Sequence, residues 1–133
     1  MGLSLRIPLQ PIPVPRMRVT ARGGRPRAYP DPKYSTWLRD AGALFDELTP
    51  KGWSPSDALL LCEVNMFCQK PKTGKLLTPR GDLDNLVKGP MDAATGRVWV
   101  DDDQVVDLKC TKEYVPHGTD GFFLMTVSEI FDT

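Results

Sequence analysis

Apolar and polar positions alternate along several stretches of this chain and recur at helical spacing along two others. Residues 3–8 alternate with a period of two, which predicts a short first strand. Pro8, Pro11, Pro13 and Pro15 then impose an extended, polyproline-like path, because each ring fixes φ and removes an amide donor. Residues 16–32 carry five arginines with Gly23 and Gly24, and read as a mobile basic loop. From Ser35 the spacing changes. Trp37, Leu38, Ala41, Leu44, Phe45 and Leu48 fall on one stripe of a helix, a core-facing pattern. Pro32 and Ser35 are its start signals; Pro50 and Gly52 are its stop.

Residues 57–69 make the strongest strand pattern, with Leu60, Cys62, Val64, Met66 and Cys68 on one face and Glu63 and Asn65 on the other. A basic turn follows, containing Lys70, Lys72, Gly74, Lys75 and Arg80. Residues 84–94 predict a second helix with Leu86, Val87, Met91 and Ala94 inward and a kink or broken turn at Gly89-Pro90. Residues 97–100 read as a short strand and 101–103 as a tight acidic turn. Two more strands, 105–114 and 122–130, complete the pattern, joined by a turn at 116–121. There is no internal repeat. The 133 residues are expected to form one domain.

Composition narrows the possibilities. An apolar share of 41% supports a packed core, and no apolar run approaches the ~20 residues needed to span a bilayer. The N-terminus has no apolar signal-peptide core, since Arg6 and the prolines interrupt it, so a soluble cytosolic protein is expected. Cys62, Cys68 and Cys110 form no CxxC pair, and His117 is the only histidine. Buried free thiols are therefore expected, and a zinc site is rejected. Net charge is zero but sharply divided. Residues 1–39 hold eight of the 17 Lys/Arg and one of the 17 acids, +7; the remaining nine bases and sixteen acids leave −7 on residues 40–133. Seven of those acids lie between Asp82 and Asp107. Blocks of opposite sign suggest one surface for a polyanion and another for cations.

The chemistry concentrates in Arg80-Gly81-Asp82-Leu83-Asp84-Asn85-Leu86-Val87-Lys88 and in Val100-Asp101-Asp102-Asp103-Gln104. In extended backbone ahead of a helix, Asp82 and Asp84 at i, i+2 turn to the same side. Lys88 lies four residues beyond Asp84 and shares its helix face. One of the three turn aspartates joins them if the turn folds back beside the helix; spacing alone does not choose which. Clustered carboxylates repel unless a cation neutralises them. Hard oxygen ligands suit Mg²⁺, which retains waters and binds phosphate oxygens. The plainer alternative is that Asp82 and Asp84 are helix caps and dipole partners and that the acidic turn is merely solvated. A calcium loop fits poorly, because the sixth position counted from Asp101 is Val106 rather than glycine. A haloacid-dehalogenase-type phosphatase also uses a DxD pair, but its doubly wound sheet needs a longer chain.

The run Asp82–Lys88, the following Asp92-Ala93 and the stretch Val100–Tyr114 (VDDDQVVDLKCTKEY) resemble the RusA-type Holliday junction resolvases, small endonucleases associated with phages and prophages. The match is close over residues 80–114 and weaker over the N-terminal strand, the PRMR stretch and the first helix. It implies an α+β fold with a small mixed sheet flanked by two main helices, forming a homodimer. It implies Mg²⁺ as cofactor, with Mn²⁺ as a substitute, and branched DNA, above all four-way junctions, as partner. Residue by residue, the family's essential aspartates fall on Asp82, Asp84 and Asp102, and its essential lysine on Lys88. Asp103 stands where the family often has a small residue, and Gly89-Pro90 departs from the family's more regular helix. Arg16, Arg18, Arg22, Arg25, Arg27, Lys72, Lys75 and Arg80 are the expected phosphate contacts. A cytoplasmic, nucleoid-associated, phage- or prophage-encoded protein is the corresponding expectation. Two alternatives stay open: a branched-DNA nuclease without strong junction selectivity, and a non-catalytic DNA-binding protein.

Overall fold

The computed structural model describes residues 2–15, 18–20, 27–29, 31–72, 74 and 76–130. Its elements run β1 (Gly2–Ile7), β2 (Arg18–Thr20), β3 (Arg27–Tyr29), α1 (Pro32–Leu48), β4 (Leu60–Gln69), α2 (Leu83–Ala94), a 3₁₀ turn (Asp102–Gln104), β5 (Val105–Val115) and β6 (Phe122–Glu129). Four strands form one mixed sheet in the order β1-β6-β4-β5, with β4 and β5 parallel and the other neighbours antiparallel. The α+β expectation of a small mixed sheet with two main helices holds.

Alternation in β4 does what the sequence requires. Leu60, Cys62, Val64, Met66 and Cys68 are buried, and β6 places Phe123, Met125 and Val127 on the same face. The helix pair covers that face. Trp37 and Phe45 of α1 bring their rings to 6.4 and 6.0 Å from Phe123, while Leu86 and Val87 of α2 join the same core. Helix α1 begins three residues before Ser35, because Asp31 caps it by accepting from the Lys33 amide at 2.8 Å and Pro32 occupies the first turn. Cys62 and Cys68 are buried free thiols and Cys110 is half-buried. Burial pushes the Cys62 thiol up to about 12, assisted by the nearby Cys110 and Glu63.

Two expectations are corrected. Residues 16–32 are not wholly a loop, since β2 and β3 pair antiparallel, Val19 opposite Ala28. The β-branched Val19-Thr20 ahead of the Gly-Gly step carried that signal. Residues 97–100 are not a strand either. They wrap the end of α2, with Arg97 and Val98 amides returning to the Ala94 carbonyl and Gly96 N–H donating to the Trp99 carbonyl at 2.7 Å. The burial of Val98 and Trp99 comes from this wrap, which leaves Trp99 only isolated bridges to Ser56 and Thr95.

Helix α2 runs as one helix from Leu83 to Ala94 through Gly89-Pro90, so the broken turn expected there is not found. The glycine has a reason beyond the helix itself: a Cβ at position 89 would stand 2.9 Å from the Trp37 ring. Alanine normally gains about 1 kcal/mol over glycine inside a helix. Gly89→Ala is nevertheless expected to destabilise the fold by about 1–2 kcal/mol through this overpacking, read as a lower urea midpoint. A raised midpoint would show that Trp37 moves aside freely.

Candidate active site

Strand β5 follows β4 in parallel register, so Leu108, Cys110, Lys112 and Tyr114 lie opposite Cys62, Val64, Met66 and Cys68 on the helix-covered face. Helix α2 lies against this edge, and between the two runs a groove of about 470 Å³. Leu83, Val87, Met91, Leu108 and Cys110 give the groove an apolar floor, while Asp84, Lys88, Asp92 and Asp102 supply its charges. An apolar floor lowers the local dielectric and lengthens the reach of those charges.

Asp82 occupies the N-cap of α2 with extended backbone, and its carbonyl accepts from the Asn85 and Leu86 amides at 3.0 and 2.9 Å. Its carboxylate makes no capping hydrogen bond, so the side chain is not committed to starting the helix. Gly81, at φ +99, makes the turn into the cap, a conformation that suits glycine. Lys112 Nζ holds that turn by donating to the carbonyls of Pro79 and Gly81, at 3.0 and 2.7 Å. Asp84, exposed in the first helical turn, faces β5: its charge, after burial, contributes to raising the Cys110 thiol.

Lys88 and Asp92 continue the same helix face at four-residue intervals. Lys88 Nζ lies 3.5 Å from the Asp92 carboxylate, and Tyr34 of α1 donates its hydroxyl to Asp92 at 2.8 Å. Burial and this carboxylate together raise the Tyr34 hydroxyl well above its ordinary range, so it remains a donor. Asp102 completes the groove. Partial desolvation raises its carboxyl, the Asp101 and Asp92 carboxylates add to the effect, and Lys88 opposes it.

The three turn aspartates have different tasks. Asp101 caps the 3₁₀ turn, accepting from the Asp103 amide at 3.1 Å in a reciprocal capping box with Gln104. Gln104 is buried and makes four hydrogen bonds. Its Oε1 accepts from the Val100 and Asp101 amides at 3.0 and 2.8 Å, and its Nε2 donates to the Ser56 and Ala58 carbonyls at 2.8 Å each. The acidic turn is thereby tied to the chain that enters β4. Asp102 is left to line the groove, whereas Asp103 is exposed and outside its lining.

The candidate acids are not gathered at one point. Asp84 and Asp102 share the groove with Lys88, but Asp82 is not among its lining residues. Asp92 lies eight helical steps beyond Asp84, about 12 Å along the axis, and the helix acid that couples to Asp102 is Asp92. Among the described residues, no three His, Cys, Asp or Glu side chains lie close enough to hold a metal ion. The donors are still of the right kind for Mg²⁺. They are hard, accessible carboxylate oxygens crowded by like charge, and this ion commonly takes one or two carboxylates, with waters and substrate phosphates in its remaining positions.

Of the expected phosphate contacts, Lys72 and Arg80 are exposed on the connection between β4 and α2. Arg80 also lines a cleft with Lys33, Lys70, Tyr34 and Tyr114. Arg18 and Arg27 belong to the β2–β3 pair by their backbone. Arg16, Arg22, Arg25 and Lys75 lie outside the described residues. Sequence reasoning missed Asp92 and Gln104 as parts of the site. Signals for both were present: Asp92 extends the Asp84–Lys88 ladder by one turn, and Asp101-x-x-Gln104 is a capping-box pattern.

Gln104→Ala is expected to cost about 3 kcal/mol, because buried polar groups lose their partners. It should also release the turn that carries Asp102. Urea unfolding together with DNA cleavage checks this; unchanged stability would remove Gln104 as the anchor.

Residues 8–119 match the family described as endodeoxyribonuclease RusA. A comparison with curated proteins gave no match. Among the described residues, no helix is long and apolar enough to cross a membrane. The matched span takes in both helices, the basic connection and the acidic turn, and the chain therefore belongs to the RusA endodeoxyribonuclease family, endonucleases of Holliday junctions.

Proposed function

We propose that this chain is a Mg²⁺-dependent endonuclease that resolves four-way DNA junctions by paired, symmetric nicks, acting as a homodimer. The observation that carries the reading is the groove between α2 and β5, lined by Asp84, Lys88 and Asp102, with Asp82 at the N-cap of the same helix and its carboxylate not used in capping. Asp82, Asp84 and Asp102 are the proposed sources of Mg²⁺ ligands, and Mn²⁺ should substitute. They do not converge on one point, so one or two carboxylates would hold the ion together with waters and substrate phosphates. When bound, the ion supplies an activated water and stabilises the charge that develops on the phosphodiester. Lys88 positions the scissile phosphate or the attacking oxygen. Asp92, fixed by Tyr34, steers the Lys88 ammonium along the groove.

The +7 charge of residues 1–39 supports a phosphate-holding surface apart from the carboxylates. Symmetric nicking needs two such sites, which is why a second copy enters the proposal. The chemistry and the family favour a cytoplasmic, nucleoid-associated protein of phage or prophage origin.

Two experiments bear on this. Asp82→Asn should bind a four-way junction close to wild-type affinity yet lose cleavage by about two or more orders of magnitude, at least the roughly 10–100-fold that loss of even an outer-shell partner of a metal ligand costs. Wild-type cutting by this variant would remove Asp82 from the site. Replacing Arg16, Arg18 and Arg22 by alanine should weaken junction binding and flatten its salt dependence, by roughly one unit of slope for each phosphate no longer held. An unchanged slope would exclude these arginines as phosphate ligands.

A further inference from the structure

The connection from β4 to α2 presents an apolar tip. Leu77 is 94% exposed, more than any other large apolar side chain among the described residues. Single exposed leucines are common on protein surfaces, so exposure alone assigns nothing. The backbone around Leu77 is what distinguishes it. Tyr114 Oη donates its one proton to the Thr78 carbonyl at 2.8 Å and lies 3.4 Å from the Leu76 carbonyl, one on each side of the leucine. Lys112 Nζ fixes the Pro79 and Gly81 carbonyls just beyond. Two β5 side chains thus direct their polar ends to the backbone of this loop, while the Leu77 side chain projects into solvent.

The surroundings suit DNA. Lys70, Lys72 and Arg80 are exposed on the same connection, which leads directly into Asp82 and Asp84. Five residues from Leu77 to Asp82 span at most about 17 Å, or about five stacked bases at ~3.4 Å each. A tip within that reach of Asp82 is close enough in the chain to meet base steps near a phosphate held at the start of α2.

We propose that Leu77 is a wedge that inserts between bases at the branch point and so sets the preference for branched over linear DNA. The inference rests on the reading of this chain as a junction endonuclease. Apolar side chains such as leucine, inserted between base steps, unstack and kink the duplex. At a branch point, stacking between arms is already interrupted, so insertion costs less there than inside a continuous duplex. A tip whose backbone is held before binding also loses little freedom on insertion. The flanking cations hold phosphates without reading bases, which leaves shape discrimination to the wedge.

The test uses the full chain and a four-way junction carrying 2-aminopurine beside the branch point, with a matched linear duplex, in EDTA; a denaturing gel verifies that the strands stay intact. Wild type should raise 2-aminopurine fluorescence on the junction and not on the duplex, and Leu77→Met should retain that rise. Leu77→Ala should lose most of it, and its junction-over-duplex preference should fall roughly tenfold, the scale of burying one apolar side chain, with duplex affinity and thermal unfolding unchanged. Equal fluorescence and equal preference in wild type and Leu77→Ala overturn the wedge while leaving the nuclease reading intact. A wild type that does not prefer the junction overturns the junction reading, and the wedge with it.

Discussion

The parallel pairing of β4 with β5 is the constraint from which the candidate site follows. Parallel neighbours cannot be joined by a tight turn and need a crossover of a dozen or more residues. Here the crossover is residues 70–104, and it contains the basic loop, α2 and the acidic turn. Its two ends are fixed by one ladder, with Leu60 opposite Val105 and Gln69 opposite Val115. Helix α2 is thereby laid against β5, and Asp82, Asp84, Lys88, Asp92 and Asp102 all ride on that one connection. Side chains at the two ends of the crossover secure it. Gln104 ties its last turn to the segment ahead of β4, and Lys112 and Tyr114 hold the loop at its start.

Charge is arranged along the crossover rather than concentrated. Asp82 and Asp84 stand at the N-terminal end of α2, where the helix dipole favours negative charge. Asp92 and Asp102 stand toward its other end, with Lys88 between. The lysine limits repulsion among acids that share a low-dielectric groove, and Asp92 keeps it there. In the proposed reading, waters and substrate oxygens would complete the coordination of a bound ion, which the described carboxylates alone do not supply.

Much of this was legible in the chain. The 3.6-residue period located both helices, and the period of two located β4 and fixed which face is buried. The DLDN–Lys88 spacing pointed to the groove's helix. What sequence left open has physical causes. Spacing does not separate Asp101, Asp102 and Asp103; a hydrogen-bonded cap does, and it commits Asp101 to structure. Residues 97–100 look like a strand because Val98 and Trp99 are buried, yet a helix-end wrap buries them without a ladder. The roles of Lys112 and Tyr114 depend on carbonyls 31 to 38 residues earlier in the chain, a separation that no local pattern encodes.

Metal-dependent cutting of a branched substrate by this single small fold is the central claim. The most direct measurement incubates the purified chain with an end-labelled four-way junction, with and without Mg²⁺, beside a linear duplex of the same sequence. Paired nicks are expected at symmetry-related positions in two opposed strands of the junction, present only with the ion and absent from the duplex. Salt-sensitive binding with no metal-dependent product would contradict the claim and leave a DNA-binding protein without catalysis.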